Sequence, residues 1–200
     1  VAQKLYENGF ITYMRTDSVT LSKEAIFGAR NLVEQKFGAE YLYKSVRNYS
    51  SKVKNAQEAH EAIRPAGKAF KTPDSVKSKL TSEQLKLYQL IFNRTLASQM
   101  ANAEYMQTSV SIKSESLGLN ASGRVETFAG FTKLYQESSD KKSEESKILP
   151  PLSENDTVKF LKDNFKEHET KPKARYNEAS IVKALEEKGI GRPSTYASII

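Results

Sequence analysis

The repeat of apolar residues changes near residue 102, and this change limits the possible folds more than any other feature of the sequence. Before it, apolar side chains recur every three to four residues, as on helices that bury one face. After it, Met106, Thr108, Val110 and Ile112 alternate with their neighbours, as in a strand. A chain that switches in this way is predicted to be a multi-domain α and β protein.

Three helices are predicted before this change. They span residues 2–8, 23–37 and 81–100. Gly9 and Gly38 follow the first two helices, where glycine readily ends a helix. Thr81 and Gln84 have the spacing of a capping box at the start of the third helix. Gly28 lies inside the second helix and costs roughly 1 kcal/mol relative to alanine, so that helix is expected to depend on packing.

The rest of the chain contains strand and helix signals separated by polar stretches. Strands are predicted over residues 106–112, 119–127 and 157–161, and a Ser- and charge-rich linker over residues 136–147. Asn177 caps a further predicted helix, Gly189 and Gly191 break it, and Pro193 or Ser194 begins another. The predicted parts are a mainly helical domain at 1–101, an antiparallel β domain at 102–174 and the start of a helical domain at 175–200.

Composition limits the class of protein. The 200 residues include 31 Lys and Arg against 24 Asp and Glu, for a formal charge of +7, which suits a polyanionic partner. Cysteine is absent, so disulfides and thiolate metal sites are excluded. The sequence has no signal peptide and no apolar run near the roughly 20 residues that cross a bilayer, so we expect a cytosolic protein. Val1 lies inside a helical pattern and Ile200 inside another, so we expect part of a longer protein.

A phenol and a guanidinium lie two residues apart in the sequence ITYMRTDS, residues 11–18. In a strand, positions i and i+2 point to the same side, so an extended segment would turn Tyr13 and Arg15 toward one site. A cation beside a tyrosine favours the phenolate and attracts phosphate, which makes Tyr13 a candidate nucleophile. A packed phenol next to a surface charge is the alternative interpretation.

A second group of charged residues lies in EAHEAIRP, residues 58–65. If this segment is helical, His60 and Arg64 share one face, with Glu58 and Glu61 as neighbours. Two interpretations are open. The segment is either a capped helix with ordinary ion pairs, or it presents a His and an Arg that contact a DNA phosphate or assist a nucleophile. It lacks an HExxH pattern, so no metal site is predicted here.

The sequence GIGRPST, residues 189–195, has the composition of a phosphate-binding turn. Backbone amides at a helix N-terminus, together with Arg192, Ser194 and Thr195, suit one anionic group. No Gly-Lys-Ser/Thr follows with Walker spacing, so no ATP site is predicted. An ordinary helix turn with a capping serine is the alternative.

Together and in this order, ITYMRTDS, EAHEAIRP and YNEASIVKALEEKGIGRPSTYASII resemble the type IA DNA topoisomerases, and most of all the bacterial topoisomerase I branch. The similarity includes LNASGRVETFAGF in the predicted β domain. The resemblance implies that Tyr13 is the nucleophile that forms a 5′-phosphotyrosyl bond with a single DNA strand. It implies that Arg15 contacts the scissile phosphate, that His60 takes part in DNA binding and cleavage, and that Arg192, Ser194 and Thr195 border the bound strand.

The resemblance also implies parts that this sequence lacks. In the family, a Toprim domain supplies a catalytic glutamate and a DxDxE motif that binds Mg²⁺, and no DxD occurs in this chain. We therefore expect Mg²⁺ in the full-length enzyme, with its ligands outside these residues. The expected protein is a bacterial, cytoplasmic, nucleoid-associated monomer that relaxes DNA without ATP. A non-catalytic helix-turn-helix DNA-binding module is the alternative.

Overall fold

The structure, a computed structural model, describes residues 1–50, 61–115, 117–135 and 148–200. Within these ranges it is a mixed α and β protein with six α-helices and one two-stranded antiparallel sheet. The helices are α1 (Ala2–Glu7), α2 (Lys23–Phe37), α3 (Pro73–Val76), α4 (Ser82–Ala97), α5 (Glu178–Glu187) and α6 (Tyr196–Ile199). The strands are β1 (Glu104–Lys113) and β2 (Gly118–Phe128). Short 3-10 helices cover Ala39–Tyr41, Lys77–Lys79 and Gly130–Lys133.

The predicted ends are confirmed for α2, and α1 ends at Glu7, one residue before the predicted end. Helix α2 has the predicted bounds, and its N-cap is Ser22, whose hydroxyl accepts a hydrogen bond from the Ala25 amide. After α1, the amide of Gly9 donates to Tyr6 and that of Phe10 donates to Leu5, which is the Schellman arrangement. Local sequence signals therefore fix both ends of α2 and the C-terminal end of α1.

Helix α4 begins as predicted and ends earlier. Thr81 and Gln84 form both bonds of the capping box, at 3.0 and 3.3 Å. The helix ends at Ala97 rather than near Met100, because the chain turns there and Met100 pairs with Leu42 in an isolated antiparallel bridge.

Helix α4 contributes to two groups of buried apolar side chains. The larger core cluster consists of Ala25, Ala29, Val33, Phe70, Phe92, Leu96 and Met100. The smaller core cluster consists of Leu5, Ile11, Val76 and Tyr88. The Tyr88 hydroxyl donates to the Lys71 carbonyl at 2.7 Å, and burial raises the pKa of Tyr88 to about 12, so this phenol stays a donor. The stretch around Tyr13 adjoins the smaller cluster, through Ile11.

The two strands form a ribbon with one apolar face. Strand β1 pairs with β2 in the register Thr108↔Gly123, Val110↔Ala121 and Ile112↔Leu119. Alternation places these pairs on one side, and the polar pairs between them on the other. The two predicted strands are therefore confirmed, and each is longer than its apolar pattern alone indicated.

The predicted third strand at residues 157–161 is wrong. These residues have no regular secondary structure and no strand partner, and all five are exposed. A strand needs a neighbour to take its backbone hydrogen bonds, and the described sheet contains β1 and β2 alone. Val158 and Phe160 supplied the alternating pattern, but neither is buried.

After the ribbon, the chain returns to the helical part. The Phe131 amide donates to the Ala101 carbonyl at 2.9 Å, and Phe131 and Leu134 pack against the larger core cluster. The domain boundaries at residues 101 and 174 stay predictions, but the ribbon begins and ends on the same helical core. Among the described residues, no helix is both long and apolar enough to span a membrane.

Residue 28 is a glycine because another backbone segment passes too close to α2 for a side chain to fit there. A Cβ atom at residue 28 would lie 2.6 Å from the backbone carbonyl oxygen of Lys68, which passes over α2. We expect Gly28→Ala to lower the free energy of unfolding by about 1–3 kcal/mol, although alanine normally favours a helix. Gly118→Ala is the control, because a Cβ there meets nothing within 4 Å, and it should change stability by less than about 0.5 kcal/mol. Urea unfolding measures both, and a stabilised Gly28→Ala variant would contradict the packing argument.

Candidate active site

Tyr13 follows a short backbone pairing rather than lying in a strand. Ile11 and Pro65 form an isolated antiparallel bridge, and the Thr12 amide donates to the Arg64 carbonyl at 2.9 Å. Beyond Thr12 the chain bends, so the predicted strand geometry that would turn Tyr13 and Arg15 to one side is wrong. The pairing stops there because the following residues loop away toward α2. Tyr13 is thus the first residue of a loop whose start is fixed.

The Tyr13 side chain is half-buried beside another tyrosine. Its ring meets the Tyr6 ring edge to face, with centroids 5.3 Å apart and planes at 72°. On either side of it in sequence, Ile11 is buried in the smaller core cluster and Met14 packs against that cluster. The core therefore anchors the loop beside Tyr13 while the phenol stays partly exposed.

Arg15 is exposed on the same loop, as a phosphate-binding cation needs to be. The loop then turns through two local hydrogen bonds, from the Ser18 amide to the Thr16 hydroxyl and from the Thr20 amide to the Ser18 hydroxyl. Such bonds are typical of Ser and Thr in turns, and they lead the chain to the Ser22 cap of α2.

The segment with Arg64 is not helical where it is described. Residues 61–66 run antiparallel to the start of the Tyr13 loop, because Pro65 ends any helix and pairs with Ile11 instead. His60, together with Glu58, lies outside the described residues, so its predicted contact with DNA stays a prediction.

The Arg64 side chain is nearly buried, and its guanidinium donates hydrogen bonds to acceptors within the protein. Nη2 contacts the Glu61 carboxylate at 2.7 Å, and Nε donates to both carboxylate oxygens at 3.2 Å. Nη1 donates to the carbonyls of Pro65 and Gly67. The predicted phosphate contact of Arg64 is not supported by this geometry, which gives the side chain an internal role.

Glu61 is held in its charged form. Burial by itself would raise the pKa of Glu61, but hydrogen bonds from Arg64 and Ser22 and the Arg64 charge outweigh it and lower the pKa below 4.5. The Ser22 amide donates to the carboxylate at 2.6 Å. Glu61 thus connects this segment with the start of α2.

The GIGRPST turn is built as a tight, exposed loop between α5 and α6. Gly189 and Gly191 adopt φ angles of 67° and 75°, which glycine tolerates best. The Arg192 amide donates to the Thr195 hydroxyl at 2.8 Å, and Ser194 is exposed. The predicted helix start at Pro193 or Ser194 is wrong by two or three residues, since residues 193–195 form this turn and α6 begins at Tyr196.

An electrostatic effect connects this turn with the Tyr13 loop. Burial raises the pKa of Tyr196, and the carboxylates of Glu186 and Asp17 raise it further, against the lowering effect of Arg192. Asp17 follows Arg15 by two residues, so the charged ends of the two motifs act on the same phenol. The described residues therefore join ITYMRTDS to AIRP by hydrogen bonds, and the Asp17 charge acts on the phenol that follows GRPST.

The described residues do not fit a magnesium site. They contain no group of three or more His, Asp or Glu side chains placed to hold a metal ion. The Glu61 carboxylate is already paired with Arg64 and accepts a hydrogen bond from the Ser22 amide.

A family model described as DNA topoisomerase matches residues 1–200 of the chain. The chain belongs to the DNA topoisomerase family. Its relatives named DNA topoisomerase 1 include that of Mycolicibacterium smegmatis, 52% identical over the whole chain and 22% of the relative, and that of Streptomyces coelicolor, with the same identity and coverage. The full-length topoisomerase I of Thermotoga maritima matches 98% of the chain and 32% of that structure, with 36% identity and a TM-score of 0.71.

This topoisomerase chain thus spans about a fifth of the length of those relatives. The resemblance seen in the three motifs is confirmed, and the helix-turn-helix alternative, which gives no account of ITYMRTDS, has no further support. Sequence reasoning missed Thr12 and did not assign Glu61 its role. The spacing of Glu61 and Arg64 indicated their ion pair, but the partners of Thr12 and the Ser22 partner of Glu61 lie about 40 to 50 residues away in sequence, where no local signal indicates them.

The lowered pKa of Glu61 makes part of the stability dependent on pH. The unfolded chain binds this proton at a higher pH than the folded chain, so the stabilisation is complete above about pH 4.5 and is lost as the pH falls through the lower, folded pKa. We expect Glu61→Gln to cost about 1–3 kcal/mol near neutral pH and progressively less in acid. Urea unfolding of both proteins over a pH series measures this, and a difference independent of pH would contradict it.

Proposed function

We propose that this chain is the nucleophile-bearing part of a type IA topoisomerase that relaxes negatively supercoiled DNA without ATP. The single observation that carries the proposal is the half-buried Tyr13 phenol on a loop fixed at both ends, in a chain that the topoisomerase family matches throughout. The exposed Arg15 beside it supports the assignment, because a cation near the attacked phosphate stabilises the developing charge.

The proposed chemistry is a transesterification. The Tyr13 oxygen attacks a backbone phosphorus of one DNA strand, a P–O bond forms to the tyrosine, and the bond to the 3′ oxygen breaks. The phenol loses a proton and the leaving 3′ oxygen gains one, so protons balance and no cofactor is consumed. Because the phosphotyrosyl ester keeps the phosphodiester energy, the reverse attack by the 3′-hydroxyl reseals the strand.

The substrate is proposed to be a single-stranded segment of underwound duplex. The formal charge of +7 favours a polyanion, and Arg192, Ser194 and Thr195 lie exposed on the turn that follows α5. Together with Arg15 and His60 they would border the strand, as in the family. We propose that the chain acts as a monomer in the bacterial cytoplasm, associated with the nucleoid.

The strand-passage step is proposed to use the β ribbon as part of an arch. The ribbon leaves and rejoins the helical core at Ala101 and Phe131, as a hinged arm must do. Opening such an arch would move Tyr13 away from the bound strand and let another strand pass. The general acid and the Mg²⁺ ligands are proposed to lie outside this chain.

In the complete enzyme, Tyr13→Phe should abolish the covalent adduct on a labelled single strand, because it removes the attacking oxygen. Tyr6→Phe is the matched control, since it deletes a neighbouring hydroxyl and keeps the ring that packs on Tyr13. We expect this control to form adduct within about twofold of the wild type. Denaturing gel electrophoresis measures both, and an adduct that survives Tyr13→Phe would refute the assignment.

The 200-residue chain alone should bind single-stranded DNA weakly and should not relax supercoils, because the proposed acid and metal site lie elsewhere. Fluorescence anisotropy with a labelled oligonucleotide and a plasmid relaxation assay with added Mg²⁺ measure these properties. Relaxation by the chain alone would show that the missing groups are not required.

A further inference from the structure

Both ends of the Tyr13 loop are held by the same short segment, residues 61–66. At the start, the Ala66 amide donates to Phe10 and the Thr12 amide donates to Arg64, each at 2.9 Å. At the far end, the Ala62 amide donates to Thr20 at 2.8 Å. A loop closed by one rigid partner at both ends loses much of its freedom to move.

Thr12, the residue before Tyr13, makes a connection through its side chain as well. Its hydroxyl donates to the Ala62 carbonyl at 2.8 Å and accepts from the Arg64 amide at 2.9 Å. One hydroxyl therefore satisfies two backbone groups of the facing segment. Valine has the shape of threonine without this hydroxyl, and serine keeps the hydroxyl without the methyl group.

Glu61 and Arg64 fix the facing segment itself. The carboxylate of Glu61 accepts from the Ser22 amide, where the loop meets α2, and from the Arg64 guanidinium. Arg64 in turn donates to the carbonyls of Pro65 and Gly67. A planar guanidinium satisfies this set of acceptors at once, which a lysine ammonium cannot do in the same geometry.

We propose that Thr12, Glu61 and Arg64 form a clasp that positions Tyr13 for attack on the scissile phosphate. The inference rests on the proposed function and goes beyond it, because it assigns Arg64 to positioning rather than to DNA binding. The three are positioning residues, since they act through the backbone beside Tyr13. When a nucleophile is misplaced by about 1 Å, the reaction rate falls on the order of a hundredfold.

The first test uses Thr12→Val and Thr12→Ser in the complete enzyme. At saturating single-stranded oligonucleotide, we expect Thr12→Val to slow adduct formation about tenfold to a hundredfold with an unchanged Kd, and Thr12→Ser to restore the rate to within about threefold. Tyr88→Phe is the control for lost stability, because its hydroxyl lies in the smaller core cluster and does not bond to the clasp. A Thr12→Val rate equal to that of Tyr88→Phe would overturn the proposal.

The second test separates positioning from DNA contact at Arg64. We expect Arg64→Lys to slow adduct formation at least tenfold while the Kd and its salt dependence stay those of the wild type. If Arg64 contacts a phosphate, Arg64→Lys will keep that charge and the rate at saturation will be normal, whereas Arg64→Gln will raise the Kd and lower the salt slope by about 1. That result would overturn the proposal, as would an unchanged rate and Kd.

The proposed function and the proposed clasp would be refuted by different results. If the proposed function is wrong, the wild type forms no adduct or Tyr13→Phe still forms one. If only the clasp is wrong, the wild type forms an adduct through Tyr13, and the Thr12 and Arg64 variants form it at the wild-type rate.

Discussion

The antiparallel pairing of residues 10–12 with residues 64–66 is the constraint on which the candidate site depends. It joins segments about fifty residues apart and needs only a few backbone hydrogen bonds, because Ile11 and Pro65 are both buried beneath it. Water cannot compete for bonds in such a place, so they are worth more than in an exposed loop. The pairing holds the main chain at Thr12 and leaves the next residue, Tyr13, at the edge of solvent.

Helix α4 supports this pairing from below. Tyr88 packs near Ile11 in the smaller core cluster, and Phe92 and Leu96 belong to the larger one against α2. The helix therefore connects the two helices that flank the Tyr13 loop, α1 and α2. The stretch between α1 and α2 packs on the core clusters through Met14 and Leu21, and the side chains of residues 13–20 keep some exposure to solvent. Catalytic loops usually rest on a rigid core and carry polar side chains on their solvent side.

Some charged side chains of the motifs pair with each other inside the protein, and others lie at its surface. Arg64 and Glu61 neutralise each other inside the clasp, whereas Arg15 and Arg192 lie at the surface. Four of the five N–H groups of the buried Arg64 donate to protein acceptors, whereas an exposed arginine can meet a phosphate. The sequence presents all three arginines within family motifs, so the motif alone does not say which of them is buried and which is exposed.

Local signals in the sequence determined both ends of α2, the end of α1, the start of α4, the two paired strands and the family. A capping box, a glycine after a helix and an alternating pattern act between neighbours, so Thr81, Gly9 and the β1 pattern could be interpreted without a structure. Only the tertiary structure decided that residues 61–66 pair with the Tyr13 loop, that Arg64 is internal, and that residues 157–161 have no partner strand. These features depend on contacts between distant segments, and a local pattern contains no information about which distant segment will supply the partner.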